Sequence, residues 1–253
     1  MKDVQQQLDT RNVYLNEVGI KDLTFPIQIM MKDGSWNTTK AIISLSVDLP
    51  PTQKGTHMSR FVDIIQENNK LDIKHMRKIL EIIKERLGAK SSYIKLDFDY
   101  FIEKEAPVSK RISYLDVQVE YRAWLKEDDF EFEMTVNTPV TTLCPCSKEI
   151  SDYSAHNQRA NVALTIRTDE FVWIEDLVKI SEESASSPIY SMLKRPDEKY
   201  VTEYAYDHPR FVEDVCREVK LKVDKLKNIK SFCVEVESYE SIHNHSAYAK
   251  VIG

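Results

Sequence analysis

The chain has 253 residues, 42% of them hydrophobic and 30% charged, with 5 Gly and 9 Pro. That composition excludes a disordered, collagen-like or low-complexity protein, and the length allows one large domain or two small ones. A formal net charge of -6 excludes nucleic-acid binding through a broad basic face, so an anionic ligand must meet a local basic cluster.

The start, Met1-Lys2-Asp3-Val4-Gln5, is too polar for a signal peptide, and no later stretch approaches the ~20 apolar residues of a membrane span. A cytoplasmic protein with no membrane partner is expected. Phe25 to Met31 forms an apolar run, and Ile43, Leu45 and Val47 alternate with Ser44 and Ser46, the pattern of two paired, half-buried strands. A short helix carrying Phe61, Ile64 and Ile65 follows. From Ile73 to Gly88 the apolar residues Met76, Ile79, Leu80, Ile83 and Leu87 fall at helical spacing, with Gly88 as the stop. Alternation returns twice, in Ile94, Leu96, Phe98 and Tyr100, then in Leu115, Val117, Val119 and Tyr121.

The order of elements then recurs beyond the hydrophilic turn Lys126-Glu127-Asp128-Asp129. One strand carries Phe130, Phe132, Met134 and Val136, and a second carries Val162, Leu164 and Ile166. One helix buries Ile174, Leu177 and Val178. Another, starting near Pro209, buries Val212, Val215, Val219 and Val223. Strands with Phe232, Val234 and Val236, then Ala247 to Ile252, end the copy. The fold class read from this is α+β: two ββααββ units in tandem, residues 1–125 with an N-terminal arm and residues 126–253. The repeat is one of element order, without residue-level identity between the halves.

The residues that carry chemistry lie mainly in the second half. Cys144 and Cys146 follow one strand, and His156 precedes the next, so a thiolate and an imidazole stand at the two ends of one connection. Four cysteines are too few for a disulfide framework, and reduced, working thiols are expected. Lys194 to Lys199 reads as an interhelical loop, Glu213 as a first-turn residue of the last helix, and His243 as part of the connection between the last two strands. If both hairpins point the same way, that connection and the cysteine connection share one sheet edge. Taken singly, each residue has a plainer explanation. His156 suits a hydrogen-bonded surface position, Glu198 a solvated loop, Glu213 the helix macrodipole, and Cys216 and Cys233 the core. Spacing alone leads to a metal-site candidate and no further.

Four strings carry more: LPPTQKGTHMSRF from Leu49 to Phe61, TTLCPCSKEISDYSAHNQR from Thr141 to Arg159, KRPDEKYVTEYAYDHPRFVED from Lys194 to Asp214, and ESIHNHSAYA from Glu240 to Ala249. In this order they resemble the signatures of GTP cyclohydrolase I, type IB, and the likeness runs from Asp9 to the C-terminus. The resemblance implies a tunnelling fold, in which ββααββ units form antiparallel sheets backed by helix pairs. It implies hydrolysis of GTP to formate and 7,8-dihydroneopterin triphosphate, the committed step toward folate and, in some organisms, a route to modified bases.

It implies further that Glu213 anchors guanine by accepting from N1–H and the 2-amino group. One divalent metal per active site, zinc, manganese or iron, would be held by Cys144, His156 and Glu198 and would activate water for attack at purine C8. Proton transfer falls to His243 or Cys146, between which the sequence does not choose. Lys54, His57, Arg60, Arg159, Lys194 and Arg195 offer charge for the triphosphate. A homotetramer with active sites between subunits completes the expectation. Two rival readings are another tunnelling-fold enzyme, such as a nitrile reductase or pterin synthase, and a non-enzymatic metal-handling or thiol-redox protein.

Overall fold

The computed structural model describes Gln5 and residues 7–253. Met1–Val4, on which most of the signal-peptide reading rests, and Gln6 lie outside the described residues. The strands β1 (Leu15–Met30), β2 (Trp36–Leu49), β3 (Lys70–Leu71), β4 (Ser91–Glu105), β5 (Ile112–Lys126), β6 (Asp129–Leu143), β7 (Asn157–Thr168), β9 (Ile229–Ser238) and β10 (Ala247–Ile252) are hydrogen-bonded in the order β10-β9-β7-β6-β5-β4-β2-β1-β3, and the short β8 (Ser187–Pro188) pairs with β6. No helix among the described residues is long and apolar enough to cross a membrane. By contacts the chain divides into two compact units. One comprises Met1–Asp99, Glu120–Met134 and Thr168–Phe171; the other comprises Tyr100–Val119, Thr135–Arg167 and Val172–Gly253.

In the first unit β1 (Leu15–Met30) pairs antiparallel with β2 (Trp36–Leu49), and β2 with β4 (Ser91–Glu105). The expected alternation holds, since Ile43, Leu45 and Val47 are buried on one face with Ile94, Leu96 and Phe98. Helix α1 (Met58–Glu67) contributes Phe61, Ile64 and Ile65, and α2 (Ile73–Leu87) contributes Met76, Ile79, Leu80 and Ile83. Each such side chain taken fully from water stabilises by about 1.5–3 kcal/mol. Gly88 ends α2 in the left-handed region, at φ 65°. Between the two helices a two-residue strand, β3 (Lys70–Leu71), pairs parallel to β1. At Gly19 the strands β1 and β2 approach so closely that a Cβ would lie 1.9 Å from the Leu45 carbonyl oxygen, so only glycine fits.

Asp48, at the end of β2, is buried and organises its surroundings. Its carboxylate accepts from Lys90 N–H at 2.8 Å, Ser91 N–H at 2.6 Å, Ser91 Oγ at 3.1 Å and Tyr14 Oη at 2.9 Å. Burial pushes its pKa up, but the bonds from Ser91, Tyr14 and Lys90 outweigh it and the net direction is down. A carboxyl lowered on folding contributes stability above its unfolded pKa, near 4, and loses it as pH falls through the folded value. Asp48→Asn should therefore cost about 1–3 kcal/mol at pH 7, a gap that narrows below about pH 4. Urea unfolding at pH 7 and pH 3 checks both parts.

The second unit holds the ends of the long strands β4, β5 (Ile112–Lys126) and β6 (Asp129–Leu143), with β7 (Asn157–Thr168), β9 (Ile229–Ser238) and β10 (Ala247–Ile252). Helix α6 (Val212–Val223) buries Val212, Val215, Cys216, Val219 and Val223, and packs on β9 and β10. Helix α4 (Ile174–Glu182) buries Ile174, Leu177 and Val178 and touches α6.

Three local expectations change. Lys194 to Lys199 is no loop, because α5 (Arg195–Asp207) begins there. This helix buries only Asp197 and Ala205, so it has no apolar stripe for periodicity to find. Asp197 holds its start, accepting from the N–H groups of Lys194 at 2.8 Å, Val108 at 2.8 Å and Ser109 at 2.7 Å. Helix α6 starts at Val212, leaving Pro209 ahead of it, and the Phe211 N–H donates to Asp214 Oδ2 at 3.1 Å. Cys216 is buried as expected, whereas Cys233 is only half-buried, since it alternates with the inward Phe232 and Val234 along β9.

Candidate active site

The connection after β6, residues 144–156, is tied to itself. Pro145 occupies the first turn of α3 (Pro145–Ile150), where its missing N–H costs nothing, and Cys144 caps the helix. The Ser147 N–H donates to Cys144 Sγ at 3.4 Å, and Ser147 Oγ donates to the Cys144 carbonyl at 3.3 Å. The far end closes on the near one: His156 N–H donates to Ser147 Oγ at 3.2 Å, and Cys144 N–H to the His156 carbonyl at 3.1 Å. Cys144 is half-buried and Cys146 exposed.

Beneath this connection lies a polar network whose bonds fix its orientation. The Gln158 amide Nε2 donates to Thr142 Oγ1 and Ser238 Oγ, each at 3.1 Å, and to Glu240 Oε1 at 3.3 Å. With three acceptors on the amide nitrogen, the oxygen Oε1 faces His156 Nδ1 at 2.9 Å. His156 Nδ1 then carries the proton, and Nε2 keeps its lone pair for a metal or a proton. Glu240 also accepts from Ser238 Oγ at 2.9 Å, and its other oxygen lies 4.0 Å from His156 Nδ1. The β9–β10 connection adds His243, with ring centroids 6.5 Å from His156 and 5.2 Å from the stacked ring of His245.

These groups line one cleft of ≈ 390 Å³, within the range of small-molecule sites. Cys144, Cys146 and His156 come from one side, Glu240, His243 and His245 from the β9–β10 connection, and Arg210, Phe211 and Glu213 from the entry to α6. Glu213 is exposed in the first turn of α6. Tyr248 closes one edge; donation of its hydroxyl to Glu235 raises its pKa, so it is present as the neutral phenol.

Of the residues singled out in the sequence, Cys144, Cys146, His156, Glu213 and His243 meet in this cleft. Glu198 is exposed on the first turn of α5 and does not line it. Arg159, Lys194 and Arg195 belong to the same unit but face solvent, and Lys54, His57 and Arg60 belong to the first unit. Lys54 Nζ lies 3.5 Å from Gln7 Oε1, and Arg60 donates to the Arg86 carbonyl at 2.9 Å. Among the described residues no group of three or more His, Cys, Asp and Glu is drawn together tightly enough to hold a metal. The donor types in the cleft nevertheless fit one: a thiol, an imidazole with a free Nε2, further imidazoles and a carboxylate suit a borderline divalent ion. Sequence reasoning missed Gln158, Arg210, Glu240 and His245, although all four lie inside the quoted strings.

Comparison with known proteins bears on the whole chain. The family model for type I GTP cyclohydrolase folE2 matches residues 1–249. The chain is 49% identical over 250 residues to GTP cyclohydrolase FolE2 of Fervidobacterium nodosum, covering 98% of this chain and 96% of that one. It is 51% identical over 251 residues to the protein of the same name from Thermotoga maritima, covering 99% and 96%. Among solved structures it resembles uricase from Arthrobacter globiformis, with TM-score 0.52 and 6% identity over 94% of this chain and 92% of that one. A hyperthermostable urate oxidase mutant from Bacillus sp. TB-90 gives TM-score 0.55 at 6% identity, covering 94% and 98%. At such identity the likeness concerns the fold alone, and urate oxidase has the tunnelling fold.

Proposed function

The chain belongs to the type I GTP cyclohydrolase folE2 family, and from that premise we propose that the cleft of its second unit binds GTP and opens the guanine imidazole ring. The enzyme is a hydrolase at the first step of folate biosynthesis. GTP and water give formate and 7,8-dihydroneopterin triphosphate. The observation that supports this reading most is the convergence of three separated motifs, through Cys144 and His156, Glu213, and His243, on one cleft of ligand size.

In this reading Glu213 accepts from guanine N1–H and the 2-amino group, which orients C8 and N7 toward the cysteine and histidine side of the cleft. Cys144, His156 and Glu198 are the residues that would hold a divalent metal. Such an ion, when bound, supplies the Lewis acidity that makes water nucleophilic near neutral pH. His243 gives and takes the protons that ring opening at N7 and release of formate demand, with Cys146 as the alternative carrier. Lys54, His57, Arg60, Arg159, Lys194 and Arg195 are assigned to the triphosphate, the first three from a neighbouring subunit of a homotetramer. The tandem reading, 1–125 and 126–253, belongs to the same proposal and is supported by the recurrence of element order. A cytoplasmic location goes with it.

Incubating the purified protein with GTP and a divalent metal, then oxidising and measuring pterin fluorescence together with formate, tests the function directly. Absence of both products across zinc, manganese and iron would sink the reading. The anchor has its own test. Glu213→Gln keeps the shape but places a donor against guanine's donors, an arrangement expected to cost about 1–3 kcal/mol or more. KM for GTP should rise at least tenfold while bound metal is unchanged. An unaltered KM would leave Glu213 as a helix-terminus charge.

A further inference from the structure

Arg210 is the residue of the cleft with an unmet demand. It is half-buried and lines the cleft, yet its guanidinium Nε is fully buried and makes no hydrogen bond. A buried donor without an acceptor is costly, and such a group in a folded protein calls for a partner, which at the wall of a cleft a bound ligand or water can supply. The backbone at this point is held firmly, since Arg210 N–H donates to the Leu143 carbonyl at 3.0 Å, one residue before Cys144. Phe211 follows, a residue 40% exposed that lines the same cleft, and then Glu213. Four consecutive residues thus set a guanidinium, an aromatic face and a carboxylate along one wall.

That order matches the order of groups on guanine. Next to the N1–H and 2-amino donors, assigned above to Glu213, come two acceptors, O6 and then N7. A guanidinium, always charged and presenting only N–H donors, suits the O6 acceptor next to N1–H, while N7 stays open to the proton that ring opening requires. We infer that Arg210 is a specificity-determining residue that reads O6 of guanine while Glu213 reads the opposite character of N1–H and the 2-amino group, N7 being left to the proton carrier; this rests on the cleft being the GTP site. Adenine would meet both residues wrongly, with a 6-amino donor toward Arg210 and no N1–H for Glu213. A phosphate role fits less well. The cations assigned to the triphosphate are mostly solvent-facing, whereas the Arg210 Nε is withdrawn from water on the wall that carries Glu213.

The test uses the full-length, metal-loaded enzyme, its Arg210→Gln and Arg210→Lys variants, and three competitors of GTP turnover. These are 6-thioguanosine triphosphate, which puts a weaker acceptor at position 6; inosine triphosphate, which lacks only the 2-amino group; and inorganic tripolyphosphate. Arg210→Gln should raise KM for GTP by about 10–100-fold, the loss expected for a hydrogen bond from a charged group. It should also erase the preference for GTP over the 6-thio analogue, while the ratio of GTP to inosine triphosphate and the inhibition constant of tripolyphosphate stay as in the wild type. Arg210→Lys keeps the charge without the planar fork and should lose the same preference. Unfolding temperature should not fall in either variant, because no intramolecular bond of Nε is removed.

Weakened tripolyphosphate inhibition with the 6-thio preference intact would overturn the assignment in favour of phosphate. A large fall in unfolding temperature would overturn it in favour of a structural role. Wild-type protein that neither binds nor turns over GTP would instead remove the GTP reading itself, an outcome distinct from unchanged preferences in an active Arg210→Gln enzyme.

Discussion

Replacing Cys144 by Ala should abolish pterin formation and lower bound metal while leaving the fold intact. The fold should survive because α3 buries no side chain, and the thiol's contact within the loop is a long bond from the Ser147 N–H at 3.4 Å. The bonds that close the connection, Cys144 N–H to the His156 carbonyl and Ser147 Oγ to the Cys144 carbonyl, do not depend on the Cys144 side chain. Loss of one ligand from a thiolate, imidazole and carboxylate set removes the soft donor, and affinity for a borderline metal should fall by orders of magnitude. Metal per chain by elemental analysis, unfolding temperature and turnover are read on the same preparation. Full metal content and activity in Cys144→Ala would take this residue out of the site. Glu198→Gln and Glu240→Gln, measured in the same way, decide the carboxylate. If Glu198 is the ligand, its variant alone loses metal; if Glu240 is, the cleft carboxylate beside His156 has the role instead.

What the sequence makes legible of this fold and cleft differs by physical cause. Strands and helices with an apolar face were legible because burial imposes a period: Ile43, Leu45 and Val47, or Met76, Ile79, Leu80 and Ile83, are inward as their spacing demands. Helix α5 escaped because what fixes its start is the buried carboxylate of Asp197 bonded to Val108 and Ser109, residues far away in sequence. The site shows the same division. Cys144, His156 and Glu213 were legible because thiols, imidazoles and first-turn carboxylates carry local signals. Glu240 and Arg210 were not, since charged side chains are solvated by default and only the chain's closure places one beside Gln158 and withdraws part of the other from water. Arg159 illustrates a signal available but unused. In β7 the buried residues Ala160, Val162, Leu164 and Ile166 are even-numbered, so Gln158 shares their face and turns to the cleft, while Arg159 faces solvent.

His243→Ala should lower turnover by about 10²–10⁴-fold, the usual contribution of a general acid or base, with much less effect on KM for GTP. The residue is exposed in the β9–β10 connection and lines the cleft, with its ring 6.5 Å from that of His156. Both rings thus face the same cleft, where His243, being exposed, can exchange its proton with solvent after each cycle. Imidazole suits the task because ring opening needs a proton delivered and formate release needs one moved again, both near neutral pH. Its neighbour His245 stacks on it at 5.2 Å, so His245→Ala is the control that separates lost chemistry from a disordered connection. The competing role for His243 is that of a further metal ligand, in keeping with the imidazoles gathered in this cleft. Metal content read beside the kinetics separates the two. A variant that keeps its metal, binds GTP and turns over slowly carries a missing proton carrier; one that loses metal in step with activity has lost a ligand, and proton transfer passes to Cys146.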